Sequence, residues 1–318
     1  MQAELSEWII PSQYRNCGLI GNLTPYVPDL IISGSTHLYI SRLIYLPLPF
    51  SMLKRILRKA VVVLLLVYLI IFLIGWLYQD RMIFQRLPLD KNHRFTISEE
   101  YKEIWISGKD GTKLNGILIN TRDSSKGLIV YTHGNRHHIQ RYARPAAELT
   151  RYGYDVLMPD YRGYGKSEGY PVENDLYYDM ESWLHYTDSV LKPKEYIFYG
   201  RSLGSAMATY AATKKQSKFL ILETPFDEIK SAAPVIFSPM LFFIPLKSTF
   251  SNISRLPLIQ CPILIIHGTE DELIPLDAVK KLAASGNTKT ELVIIEGAGH
   301  MNIRRFDLYH ETIRRYLH

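Results

Sequence analysis

Residues 60–78 read AVVVLLLVYLIIFLIGWLY, an apolar run without a charged position. At 1.5 Å per residue a helix of this length roughly matches the ~30 Å hydrocarbon core of a bilayer. A buried helix of a soluble domain would carry a polar stripe over about five turns, so the run predicts one transmembrane helix, with Trp76 and Tyr78 suited to the interface. From about residue 100 the pattern changes, and short β-rich runs alternate with stretches of helical period. Such alternation produces a mostly parallel sheet covered by helices on both faces. EIWISG and LNGILIN predict an opening antiparallel pair. Further strands are expected at 127–134, 154–163, 195–200, 218–226, 262–268 and 291–297, with helices at 172–191 and 203–214. Ile303, Phe306, Tyr309, Ile313, Tyr316 and Leu317 fall at helical spacing and predict a closing amphipathic helix.

The flanks of the apolar run decide what kind of segment it is. Gln79, Asp80, Arg81 and Met82 follow directly, where a cleaved signal peptide needs small residues, so an uncleaved signal anchor is expected. Lys54, Arg55, Arg58 and Lys59 cluster before the run, with Arg42 upstream, against Arg81, Arg86, Lys91 and Arg94 after it. A long C-terminal domain translocates largely regardless of its own charge. The basic cluster therefore places the N-terminus in the cytoplasm and the domain after the helix on the non-cytoplasmic side of the membrane. Residues 1–51 hold few charges and are broken by Pro11, Pro25, Pro28, Pro47 and Pro49, so they are read as a tail. Met52 opens MLKRILRKAVVV, the basic start and apolar continuation of a natural N-terminus, and translation from Met52 is expected. The resulting organisation is a tail at 1–51, basic flank and anchor at 52–80, and the main domain at 81–318.

Composition adds exclusions. At 47% hydrophobic and 21% charged residues the chain is neither disordered nor fibrous. The net charge is +6, half of it before the apolar run, so the body is close to neutral and no nucleic-acid partner is expected. Cys17 and Cys261 lie on opposite sides of the run, which excludes a disulfide framework.

The chemistry is expected at the C-terminal ends of the strands, where open α/β sheets bind ligands. Gly200-Arg201-Ser202-Leu203-Gly204 fits G-x-S-x-G, between the β-run EYIFY and the helix-forming run SAMATYAAT. The pattern puts a serine on a sharp strand-to-helix turn, with glycines where strand and helix crowd a side chain. A serine at an ordinary helix start would cap backbone N–H groups instead. Serine is a weak nucleophile, so acyl chemistry needs an imidazole to take its proton and a carboxylate to orient that imidazole. Past the strand PILIIHG, Asp271 is the preferred carboxylate, although spacing alone leaves Glu270 and Glu272 open. Past ELVIIEG comes His300, completing the order Ser…Asp…His. The oxyanion needs two backbone donors, assigned to the N–H groups of Leu203 and Asn135. His133 is read as structural, and Arg136, His137 and His138 as a solvated loop without the ligand set of a metal site.

The segments HGN at 133–135, DYRGYGKSEG at 160–169, GRSLG at 200–204, HGTEDELIP at 267–275 and GAGH at 297–300, in that order, resemble the α/β-hydrolase-fold serine hydrolases. The resemblance covers roughly residues 98–318. With the N-terminal anchor it is similar, more narrowly, to the single-pass membrane α/β-hydrolase-domain proteins. It implies Ser202 as nucleophile, Asp271 as acid, His300 as base and the Asn135 and Leu203 amides as oxyanion hole, with no cofactor and no metal. Relatives of this kind include esterases, thioesterases acting on acylated proteins, and proteins labelled peptidases.

Other readings compete. Gly163-Tyr164-Gly165-Lys166-Ser167 ends like a phosphate loop, but Asp160 occupies the position of the required first glycine. Arg162 and its neighbouring glycines are then a structural turn. A serine peptidase of the same fold, or an inactive hydrolase-fold binding protein, remains an alternative to an esterase or thioesterase. Residues of about 226–261 are long for a connection and predict a cap. Val235, Ile236, Phe237, Met240, Leu241, Phe242, Phe243, Ile244 and Leu246 make it apolar; packing on the body is its simplest use, with lining an acyl pocket or docking on the bilayer beside it. The expected substrate is a small molecule, a lipid or an acylated molecule with a hydrophobic acyl group.

Overall fold

The computed structural model describes residues 49–97, 99–236 and 245–318. The chain divides into two units, residues 1–56 and Leu57–His318. In the first, residues 50–56 are helical. Helix α1 runs Phe50–Ile83, beyond the uncharged run at both ends. It begins directly after Pro49, whose carbonyl accepts from the Met52 and Leu53 amides at 2.7 and 3.1 Å. Lys and Arg are good helix formers, so the basic flank continues the helix instead of ending it.

In the second unit eight strands form one sheet in the order β1-β2-β4-β3-β5-β6-β7-β8 among the described residues. Strands β1 (Tyr101–Ser107) and β2 (Lys113–Ile119) are the antiparallel pair expected, and β2 also pairs antiparallel with β4 (Asp155–Pro159). The others, β3 (Leu128–Thr132), β5 (Tyr196–Arg201), β6 (Phe219–Glu223), β7 (Ile263–Gly268) and β8 (Thr290–Ile295), run parallel to one another and to β4. The apolar runs of β3, β4, β5, β6 and β7 lack polar alternation because both faces are covered, whereas the edge strand β8 is partly exposed. Phe198 and Tyr196 face one core with Leu220, Leu222 and Ile265, whereas Ile197 and Tyr199 face the other with Ile221 and Ile266. The first core takes side chains of α3 (Glu173–Tyr186), α4 (Gly204–Lys214) and α6 (Leu276–Ala284), and the second those of α2 (Ile139–Ala147) and α7 (Asp307–Leu317).

Several elements differ from expectation. Helix α3 ends at Tyr186 and passes into a π-helical turn at Thr187–Leu191, closed by Lys192 in the left-handed region. Helices α2 and α6 were not foreseen. The first has an unbroken face of Ile139, Tyr142, Ala143, Ala146 and Ala147, but three of these are alanines and Pro145 reads as a breaker; the second has a buried face of only Val279 and Leu282. His138, expected in a solvated loop, is buried at the start of α2. In the cap, α5 spans Ile229–Ile236 and Leu246 packs against the first core; Phe237, Met240, Leu241, Phe242, Phe243 and Ile244 lie outside the described residues, as does the tail through residue 48.

The end of α1 is built into the body of its unit. Ile83 and Phe84 are buried, and Phe84 meets Phe250 edge to face with ring centroids 5.9 Å apart. Gln79, 1% exposed, accepts from the Lys247 backbone amide at 2.7 Å, and the Lys247 ammonium lies 4.3 Å from the centre of the Trp76 ring.

Candidate active site

The parallel strands end side by side, so the loops after β3, β5, β6, β7 and β8 gather in one place. Ser202 follows β5 immediately, with φ of 50°, a left-handed conformation that a serine adopts only when its surroundings impose it. The flanking glycines show what imposes it. A Cβ on Gly200 would stand 2.5 Å from the Gly204 carbonyl oxygen, and one on Gly204 would stand 2.0 Å from that of Thr132. Strand, turn and helix therefore approach closer than any side chain allows, and the Ser202 amide is fixed to the Glu223 carbonyl at 2.9 Å.

Ser202, Asp271 and His300 are brought together. The His300 Nδ1 lies 2.8 Å from Asp271 Oδ2, and its Nε2 lies 3.0 Å from Ser202 Oγ. A carboxylate only accepts, so Nδ1 carries the proton and the Nε2 lone pair faces the serine hydroxyl. Asp271 Oδ1 accepts from the Leu273 and Ile274 amides, both at 2.9 Å. Burial alone would push this carboxyl up, but the His300 contact and the Ile274 amide hold it below the usual range. Among the described residues the carboxylate that hydrogen-bonds the His300 ring is that of Asp271, not of Glu270 or Glu272.

Asn135 and Leu203 both line the cavity beside Ser202. Neither backbone amide has a hydrogen-bond acceptor among the described residues, so both N–H groups are free to serve a ligand. The Asn135 side chain is held from three sides: Tyr164 Oη donates to its Oδ1 at 2.7 Å, the Gln85 amide donates to the same oxygen at 3.2 Å, and its Nδ2 donates to the Ile83 carbonyl at 2.5 Å. His133 is wholly buried, 2.9 Å from Asp160 through Nε2, which fits the structural role read for it. Lys166 bonds both Glu103 oxygens at 2.9 Å, and Arg162 engages Asp110, Asp175 and Asp179, so the GYGKS segment is a braced turn and no phosphate cradle.

The cavity, of about 150 Å³ among the described residues, has two characters. Leu203, Phe226, Ile229, Ala232, Leu273 and Ile274 make up its apolar lining, and Gln85, Arg136, Tyr142 and Arg201 are among its polar lining. The sequence reading singled out none of the four polar residues for the site. Arg201 sat in plain view as the variable position of G-x-S-x-G, while Gln85 follows α1 and carries no local signal. Behind the site, Glu223 at the end of β6 is fully buried between Arg304, at 2.6 Å, and Arg201, at 3.1 Å, with Tyr199 Oη donating at 2.6 Å. Burial pushes the Glu223 carboxyl up, but the two guanidinium groups and Tyr199 outweigh it and hold the carboxyl at about 2.

Comparisons with known proteins agree with the fold. Residues 123–250 match the family described as serine aminopeptidase, S33. Human α/β-hydrolase domain-containing protein 17B is 29% identical over 211 residues, 65% of this chain and 72% of its own. An uncharacterised Mycobacterium tuberculosis protein is 28% identical over 222 residues, 68% of this chain and 79% of its own. Among solved structures, the Pyrococcus furiosus esterase Pf2001 superposes with a TM-score of 0.60 at 22% identity, covering 74% of this chain and 97% of that one. The esterase domain of a Rhodothermus marinus protein superposes with a TM-score of 0.54 at 15% identity, covering 69% and 100%. The chain has the α/β-hydrolase fold, and its sequence is similar to that of α/β-hydrolase domain-containing protein 17B.

Proposed function

We propose that the protein is a membrane-anchored serine hydrolase that cleaves an ester or thioester carrying a hydrophobic acyl group. The observation that carries this reading is the unbroken chain from Ser202 Oγ through the His300 ring to Asp271. His300 Nε2 takes the hydroxyl proton as Ser202 Oγ attacks the acyl carbonyl, and Asp271 stabilises the imidazolium. The Asn135 and Leu203 amides receive the negative charge on the carbonyl oxygen. As the tetrahedral centre collapses, the bond to the alcohol or thiol breaks and the leaving atom takes the proton back from His300. Water, deprotonated by the same ring, then releases the acid from Ser202.

Two features support the finer parts of the reading. The apolar lining offers an acyl chain surface free of charge. Along α1, Val63, Leu64, Leu65 and Leu69 are each more than half exposed, and its most apolar window reaches a mean hydropathy of 3.1; such surface is stable in lipid and costly in water. The anchor, with the N-terminus cytoplasmic and the catalytic domain on the other side, is part of the proposal. Purified full-length protein tests it with nitrophenyl esters of increasing acyl length. Turnover that rises from acetyl to longer acyl groups and vanishes in Ser202→Ala is expected; equal turnover of short and long esters would remove the acyl-chain preference.

A further inference from the structure

Two guanidinium groups, the buried Arg201 and the half-buried Arg304, share the single carboxylate of Glu223. Arg304 takes most of it, with Nε 2.9 Å from Glu223 Oε2 and Nη2 2.6 Å from the same oxygen. Arg201 reaches Glu223 only through Nε, and its Nη2 has the weaker His300 carbonyl at 3.4 Å and Met301 sulfur at 4.0 Å. The cluster therefore holds one positive charge in excess. Arg201 is 7% exposed, and it lines the cavity. Leaving a buried charge without a full partner costs several kcal/mol, and the cost is offset if a ligand supplies the missing anion.

The cavity lining also includes the exposed Arg136, whose Nε donates to Gln85 Oε1 at 2.8 Å and whose terminal nitrogens are unpaired among the described residues. No Asp or Glu is among the described residues that line the cavity. Much of the remaining lining is apolar. A substrate with an acyl chain along Phe226 and Ile229 would turn its remaining part toward two arginines.

We infer that the leaving group of the substrate carries an anionic oxygen group, a phosphate or a carboxylate, which Arg201 receives inside the cavity and Arg136 at its mouth. The inference rests on the serine hydrolase reading and adds the chemistry of the leaving group to it. Arg201 is then a specificity-determining residue and contributes nothing to the proton transfer itself.

Full-length protein in detergent is given one acyl chain esterified to glycerol, to glycerol 3-phosphate and to 3-hydroxypropanoate, and Ser202 labelling by a fluorophosphonate is measured on the same sample. The expected result is a kcat/KM at least about tenfold higher for an anionic ester than for the glycerol ester. The phosphate and carboxylate arms tell which anion fits. Arg201→Met and Arg136→Gln should each shrink that preference through KM, with Arg201→Lys retaining part of it. Arg201 acting only as a brace for the His300 loop would lower all three esters alike. The wild-type preference decides even if Arg201→Met fails to fold. A labelled enzyme that prefers the glycerol ester, treats the three alike or cleaves none of them overturns the inference; absent labelling instead strikes the hydrolase reading beneath it.

Discussion

The Asn135 side chain donates a hydrogen bond of 2.5 Å to the backbone carbonyl of Ile83, the last residue of α1. The loop whose amide is proposed to hold the oxyanion is thus tied to the end of the long apolar helix. Gln85, two residues further on, is itself part of the cavity wall and accepts from Arg136. Helix, exit segment and oxyanion loop form one connected piece, so the proposed anchor also shapes the site.

Removing that tie should cost catalysis more than binding. Asn135→Ala keeps the backbone N–H but loses the three side-chain contacts that fix it. Small misplacements of catalytic groups cost up to about 100-fold. Steady-state kinetics of the variant should show kcat lowered about 10-fold to 100-fold, with KM changed little. An unchanged kcat would mean that the amide is held without the side chain.

The acid position separates three adjacent carboxylates. Asp271→Asn would leave the ring geometry but present the wrong hydrogen-bond character to His300 Nδ1, and kcat should fall by about 10⁴. Glu270→Gln and Glu272→Gln should stay within about threefold of wild type, since neither carboxylate hydrogen-bonds the histidine. Comparable losses at all three would place the effect in the turn and not in Asp271.

Glu223 governs stability near the site. Its folded pKa, at about 2, lies below the carboxylate value of 4.5. The contribution is present above the unfolded value and is lost as pH falls from 4.5 toward 2. Denaturant unfolding of wild type should therefore show stability declining through that window, and the decline should be shallower in Glu223→Gln. At neutral pH that variant leaves the buried Arg201 and the half-buried Arg304 without a counter-charge, and a loss of about 3–5 kcal/mol is expected. A variant as stable as wild type would show that water or another group neutralises the arginines.

The sheet was legible because its parallel strands are buried on both faces, and runs such as PILIIHG can hardly be anything else. The turn at Ser202 was legible too, because a strand, two glycines and a helix must meet there in sequence. Asp271 and His300 could be picked by chain order, but their contact with Ser202 depends on neighbouring strand ends that only the fold brings side by side. The same holds for the Arg201–Glu223–Arg304 cluster, whose members lie on three separate segments and carry no local pattern. Helix α2 was missed because three of the five residues on its buried face are alanines and Pro145 reads as a breaker. The segment 84–88 lacks any periodicity, and its role follows wholly from where α1 delivers it.

Covalent labelling of full-length protein with a fluorophosphonate probe, read by intact mass and site mapping beside Ser202→Ala, tests the central claim most directly. The account predicts one adduct per chain, on Ser202, absent from the variant. A folded wild-type protein that takes no adduct, or takes it on another residue, would contradict it.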